Sequence, residues 1–177
     1  MGCDIHFFIE YDSKGKLPFS DTSEIELETT GDFFLPRDYD LFAALSGVRS
    51  QSPLPKFPPR GFPSPVSEAL FEEYFSNIVE PGDKPLSDYD ELREHVNDYV
   101  QKGYSELQNH PVTKKEWVSC PDWHTPSWLY LSEFLLALDV HSYLLQSEQL
   151  TQALKIMENI EKMCGRNRVR AVFWFDN

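Results

Sequence analysis

Asp4-x-His6 is the pair in this sequence best placed to do chemistry. On a β-strand, residues i and i+2 stand on one side about 7 Å apart, so a carboxylate and an imidazole there can reach one metal ion or one substrate. His124 and Asp176 offer a second imidazole and a second carboxylate. The set Asp4, His6, His124 and Asp176 suits Zn²⁺, Mn²⁺ or Fe²⁺ in a hydrolytic site, where the ion lowers the pKa of a bound water. Within it His6, His124 and Asp176 form the candidate catalytic group, the histidines as acid or base and the carboxylate as a water orienter. The plainer alternative is that Asp4 and His6 bond each other or cap a hairpin, and that His124 is a satisfied loop histidine. A competing set, Cys3-x-x-His6 with Cys120-x-x-x-His124, has residue types for tetrahedral zinc. A strand beginning at Asp4 would point Cys3 and His6 to opposite faces, which counts against it.

Arginines supply the binding argument. Arg37, Arg49 and Arg60 lie in or beside stiff Pro- or Gly-bearing segments, and a rigid loop presenting guanidinium groups fits bidentate recognition of phosphate or carboxylate. The alternative is pairing with the abundant acids, as surface ion pairs worth little. Ser127, Trp128 and Asn177 complete the candidate ligand-binding set. Ser127 has no Gly-x-Ser-x-Gly elbow around it and reads as a turn or contact residue, not a nucleophile.

The elements that must position these residues are readable from pattern. Residues 4–11 are aromatic and β-branched and run into a turn cluster, which predicts a strand opening a hairpin with 16–19 returning. Ile5, Phe7 and Ile9 then share one face, and Asp4, His6, Phe8 and Glu10 the other. Residues 24–30 alternate as a half-exposed edge strand does. Asp38 or Asp40 caps a short helix stopped by Gly47. Residues 51–65 carry six prolines (53, 55, 58, 59, 63 and 65) and read as an ordered loop. Helices are expected from Pro65 to about residue 78, from Ser87 to about 100, after a Ser132 cap, and over 148–163 between Ser147 and Gly165. Residues 80–88 read as a linker, and 103–127 as irregular and rich in Trp and Pro. The final run, Arg168 to Asn177, is made of strand formers, apolar on both faces, and belongs in the centre of a sheet. The fold expected is α+β: one domain over 1–177, a small mixed sheet holding the first and last strands, and about five packed helices.

Composition narrows the function. The chain has 177 residues with 41% hydrophobic and 25% charged residues, enough to bury a core. A net charge of −13 disfavours any face for duplex nucleic acid, which must neutralise many phosphates. It leaves a single small anion open, since a few arginines can hold one. The start has no basic or long apolar leader, and no stretch approaches the ~20 apolar residues of a membrane span. Met1-Gly2-Cys3 suggests dual acylation, yet His6 stands where the motif wants Ser or Thr. Three widely spaced cysteines, Cys3, Cys120 and Cys164, fit a reducing cytoplasm.

Several blocks resemble a family of small proteins encoded in bacteriophage and prophage genomes: Met1 to His6, Arg37 to Phe42 leading to Leu45-Ser46-Gly47-Val48-Arg49, Pro59-Arg60-Gly61-Phe62-Pro63, His124 to Leu129, and Val172 to Asn177. They span the chain's frame, and residues 66–118 fall outside the likeness. The resemblance implies a phage-type protein of the host cytoplasm dealing with host nucleotides or defence signals. The function expected is hydrolysis of a phosphoester in a small nucleotide-like ligand at the Asp/His site, with or without a divalent metal. The alternatives are sequestration of such a ligand without chemistry, and an acidic inhibitor of a host protein.

Overall fold

The computed structural model describes residues 2–14, 26–49, 55–63, 65–70, 73–74 and 123–176. The hairpin return at 16–19, the linker at 80–88, the helix expected at 87–100, Cys120 and Asn177 lie outside these. Strand β1 (Asp4–Asp12), strand β2 (Leu27–Thr29) and helix α1 (Tyr39–Ser46) come first. Strand β3 (His124–Tyr130), helix α2 (Leu131–Leu138), a 3-10 helix (Asp139–Gln146), helix α3 (Glu148–Cys164) and strand β4 (Val169–Asp176) follow. The architecture is α+β. Three α-helices and one 3-10 helix are delimited among the described residues, against the five expected. Residues 68–70 and 73–74 are also helical, within the helix expected after Pro65.

The sheet order is β2-β1-β4-β3. Among the described residues every pairing is antiparallel, so the sheet they form is not mixed. The reason lies in the connection from β3 to β4. The helices run out and back, returning the chain to the end of the sheet that it left, where Tyr130 of β3 faces Arg170 of β4. β1 and β4 pair over their whole length, from Asp4 opposite Asp176 to Tyr11 opposite Val169. This register brings both ends of the described chain to one end of the sheet.

Alternation sorts the side chains as the period of two requires. On one face Ile5, Phe7 and Ile9 join Ala171, Phe173 and Phe175 in a single cluster with Phe42 of α1, Phe134 of α2 and Met157 of α3. On the other, Trp174 is the hub of a second aromatic layer. Phe8 stacks on it at 5.0 Å, Trp123 lies at 5.2 Å, and Tyr74 meets it edge-on at 4.8 Å. Opposite each other on this second face, Glu10 and Arg170 form a buried ion pair, 0% and 1% exposed. Glu10 Oε1 also accepts the Ser67 N–H at 2.6 Å, and Arg170 donates to the Pro65 carbonyl. Burial pushes the Arg170 pKa down, and the Glu10 carboxylate opposes that.

Of the stretch 103–127 expected to be irregular, residues 103–122 lie outside the described residues and 124–127 open β3 instead. Thr125 has φ of 52° and the register slips between His124 and Ser127, a bulge that admits Pro126. Since β3 is an edge strand, a proline without an N–H is tolerated there. Helix α2 begins at Leu131, and its Glu133 carboxylate accepts the Tyr130 N–H at 3.1 Å. Ser132 is therefore inside the helix and not its cap.

Helix α1 follows expectation. Asp38 Oδ1 accepts from the N–H groups of Asp40 at 3.0 Å and Leu41 at 3.1 Å, and Gly47 ends the helix at φ 72°. Asp38→Ala should lower stability by about 1 kcal/mol, read by urea denaturation; an unchanged midpoint would show the cap to be idle.

Candidate functional site

The β1/β4 register sets Asp4 and His6 beside Asp176. Asp176 Oδ1 accepts the Asp4 N–H at 3.0 Å, and its Oδ2 lies 3.4 Å from His6 Nε2. The other ring nitrogen faces a residue that sequence reasoning missed. Residues 30–33 run on past β2 alongside β1, with the Thr30 N–H donating to the Ile9 carbonyl and the Phe33 N–H to the Phe7 carbonyl. This puts Asp32 against His6: Oδ2 is 3.5 Å from Nδ1, and Oδ1 accepts the Phe7 N–H at 3.2 Å. His6 thus sits between two carboxylates, each anchored on a β1 backbone amide.

The ring is 24% exposed, stacked at 5.4 Å on Trp174 and lying 4.6 Å from Trp123. Burial alone would lower its pKa. Asp32 and Asp176 outweigh burial, and the net shift is upward from 6.5. The stability this adds is complete below the unfolded value and is lost as pH rises through the higher folded value. The Tm difference between the protein and His6→Gln should therefore be largest below about pH 6.5 and shrink as pH rises through the higher folded value. A difference that widens with pH would reverse the assignment.

Arg37 stands at the rim, where Nε and Nη2 reach Asp4 Oδ1 and Oδ2 at 2.9 and 2.5 Å. Its guanidinium lies so close over Gly2 that a Cβ there would fall 1.9 Å from Nη1. The Arg37 hydrogen bond, working against slight desolvation, holds the Asp4 carboxyl below its ordinary range. Cys3 is buried on the helix-covered face. Burial pushes its thiol pKa up although Arg49 bonds to it, which argues against a Cys3 nucleophile. His6, Asp4, Asp176 and Arg37 are thus neighbours, and Arg49 sits with Cys3.

Other expected residues lie elsewhere. His124 pairs with Phe175 in the register and stacks on that ring at 6.0 Å. Phe175 belongs to the helix-covered face and His6 to the opposite one, so His124 and His6 do not share a site. Trp123, one position earlier, is the residue that reaches His6. Arg60 is held by Glu133 at 2.6 and 2.7 Å and lies 4.6 Å over the Trp128 ring. Ser127 Oγ accepts the Arg60 N–H at 3.2 Å. These three residues form a structural cluster along β3. Burial works to raise the Glu133 pKa, but Arg60 and the Tyr130 N–H bring it down.

The expected metal set does not converge. Asp32 and Asp176 address opposite nitrogens of one ring, Asp4 is engaged by Arg37, and His124 is on the other face. Among the described residues no group of three or more His, Cys, Asp or Glu is placed to hold an ion. Cys3 and His6 likewise point to opposite faces. Among the described residues no helix is long and apolar enough to cross a membrane. No protein-family model, no curated protein and no solved structure matches this chain.

Proposed function

We propose that the protein hydrolyses a phosphoester in a small nucleotide-like anion, with His6 as general acid. The observation that carries this reading is the placement of His6 between Asp32 and Asp176, where both carboxylates favour the imidazolium. Phosphoryl transfer runs through a loose transition state in which charge builds on the leaving oxygen, so a positioned acid counts for more than a base. Water attacks phosphorus, the bond to the leaving oxygen breaks, His6 Nε2 gives that oxygen its proton, and the water proton leaves to solvent. Asp32 stays on Nδ1 as the positioning group. At 3.4 Å the Nε2 contact to Asp176 is long, and the leaving oxygen takes its place.

Arg37 is the phosphate clamp in this scheme. It is paired with Asp4 on the surface, 47% and 56% exposed, and such pairs exchange readily. Asp4→Asn should free Arg37 and tighten binding of a nucleoside phosphate in a calorimetric titration. Weaker binding would mean that Asp4 itself contacts the ligand and that Arg37 is not the clamp.

One observation favours sequestration without turnover: both ring nitrogens of His6 already face carboxylates. Incubation with linear, cyclic and monoester nucleotides, followed by heat denaturation, separates the two readings. Altered nucleotide supports hydrolysis, intact nucleotide released from the protein supports sequestration, and no retained or altered nucleotide removes both.

A further inference from the structure

The strap that delivers Asp32 to His6 also carries an aromatic ring that is largely exposed. Along 32–35 the side chains alternate. Phe33 packs against the core and Leu35 is buried in it at 4% exposure, while Asp32 and Phe34 are exposed. Phe34 is 75% exposed. Leaving a phenyl ring in water forfeits about 1.5–3 kcal/mol of burial. In the chain it stands two residues from Asp32, which holds His6, and three from Arg37, which holds the rim, and two residues span at most about 7 Å.

We propose that Phe34 is the stacking platform for the base of the ligand, so that the ligand class is a nucleoside phosphate and not a sugar phosphate or inorganic phosphate. This rests on the phosphoester reading above. With the phosphate at His6 and Arg37, a nucleotide extended along the strap brings its base over Phe34. The chemistry is sequence-tolerant because every base has a π-face. The charge balance points the same way. Asp4, Asp32 and Asp176 outnumber His6 and Arg37, so phosphate attraction alone is weak and an uncharged contact must add affinity.

The test is calorimetric titration of the protein, Phe34→Ala and Phe34→Trp with adenosine monophosphate and with ribose 5-phosphate. Phe34→Ala should weaken the nucleotide by about 5- to 150-fold, the range that loss of one stacked base gives. Ribose 5-phosphate affinity should not change, and Phe34→Trp should restore nucleotide binding. Phe34 lies outside the core, so an unchanged thermal melt is expected for both variants. Nucleotide affinity unchanged in Phe34→Ala, or both ligands weakened equally, would overturn the platform and leave the phosphoester reading standing. Failure of the unaltered protein to bind either ligand would remove both.

Discussion

His6→Gln should reduce phosphoester turnover by about 10²- to 10⁴-fold, the range of a positioned general acid. Glutamine keeps a polar group between Asp32 and Asp176 but has no proton to deliver at neutral pH. The ring it replaces stacks on Trp174 and touches Trp123, so some stability is lost with it. The two effects separate by measurement: circular dichroism and a thermal melt report the fold, and product formation reports the acid. Turnover close to that of the unaltered protein, together with a lowered Tm, would make His6 a structural histidine tying the strap and the last strand to β1.

Glu10→Gln should be the most destabilising of the single changes considered, by about 3–5 kcal/mol. It leaves the Arg170 guanidinium buried at 1% exposure without its counter-charge. Native stability is only about 5–15 kcal/mol, so the variant should be partly unfolded at moderate temperature. The double change Glu10→Leu with Arg170→Met should recover much of the loss, since a buried pair replaced by apolar side chains is often neutral. It also leaves the Ser67 N–H and the Pro65 carbonyl without these partners, which limits the recovery. Urea denaturation of both variants measures the difference. A cost below about 1 kcal/mol for Glu10→Gln would mean that water reaches the pair.

The parts of this fold legible in the sequence are those governed by local period and punctuation. Val169 to Phe175 is apolar on both faces, and β4 is indeed flanked by β1 and β3. Ile5, Phe7 and Ile9 alternate with His6 and Phe8 and separate to the two faces as the period demands. Ser147 and Gly165 bound α3 where a cap and a stop were expected. β3 was not legible because Thr125-Pro126 breaks the pattern, and a proline is compatible with a strand only when that strand is at an edge and bulged, which is a fact of topology.

The candidate site divides in the same way. Asp4, His6 and Asp176 meet because the first and last strands pair antiparallel; their apolar character puts both in one sheet but fixes neither their adjacency nor their direction. Asp32 became a partner of His6 only through cross-strand register, which no local pattern encodes. One signal could have found it: the alternation at 24–30, continued by two residues, puts Asp32 on the same side as Thr30. Arg170 carried a signal as well. A lone arginine in an otherwise apolar central strand needs a buried acid across from it, and Glu10 is the acid on β1 that the register supplies. The placement of His124 with His6 failed for one reason. Neighbouring positions on a strand point to opposite faces, and once 124 belongs to a strand its neighbour Trp123 takes the place beside His6.

The central claim is that His6 is an imidazolium held for proton delivery, and nitrogen-detected NMR of the His6 ring against pH tests it most directly. The account predicts a midpoint above 6.5, with both ring nitrogens protonated below it, and a further rise when a nucleoside phosphate is added, because the added anion favours the charged ring. A ring that titrates below 6.5 and does not respond to the ligand would contradict it.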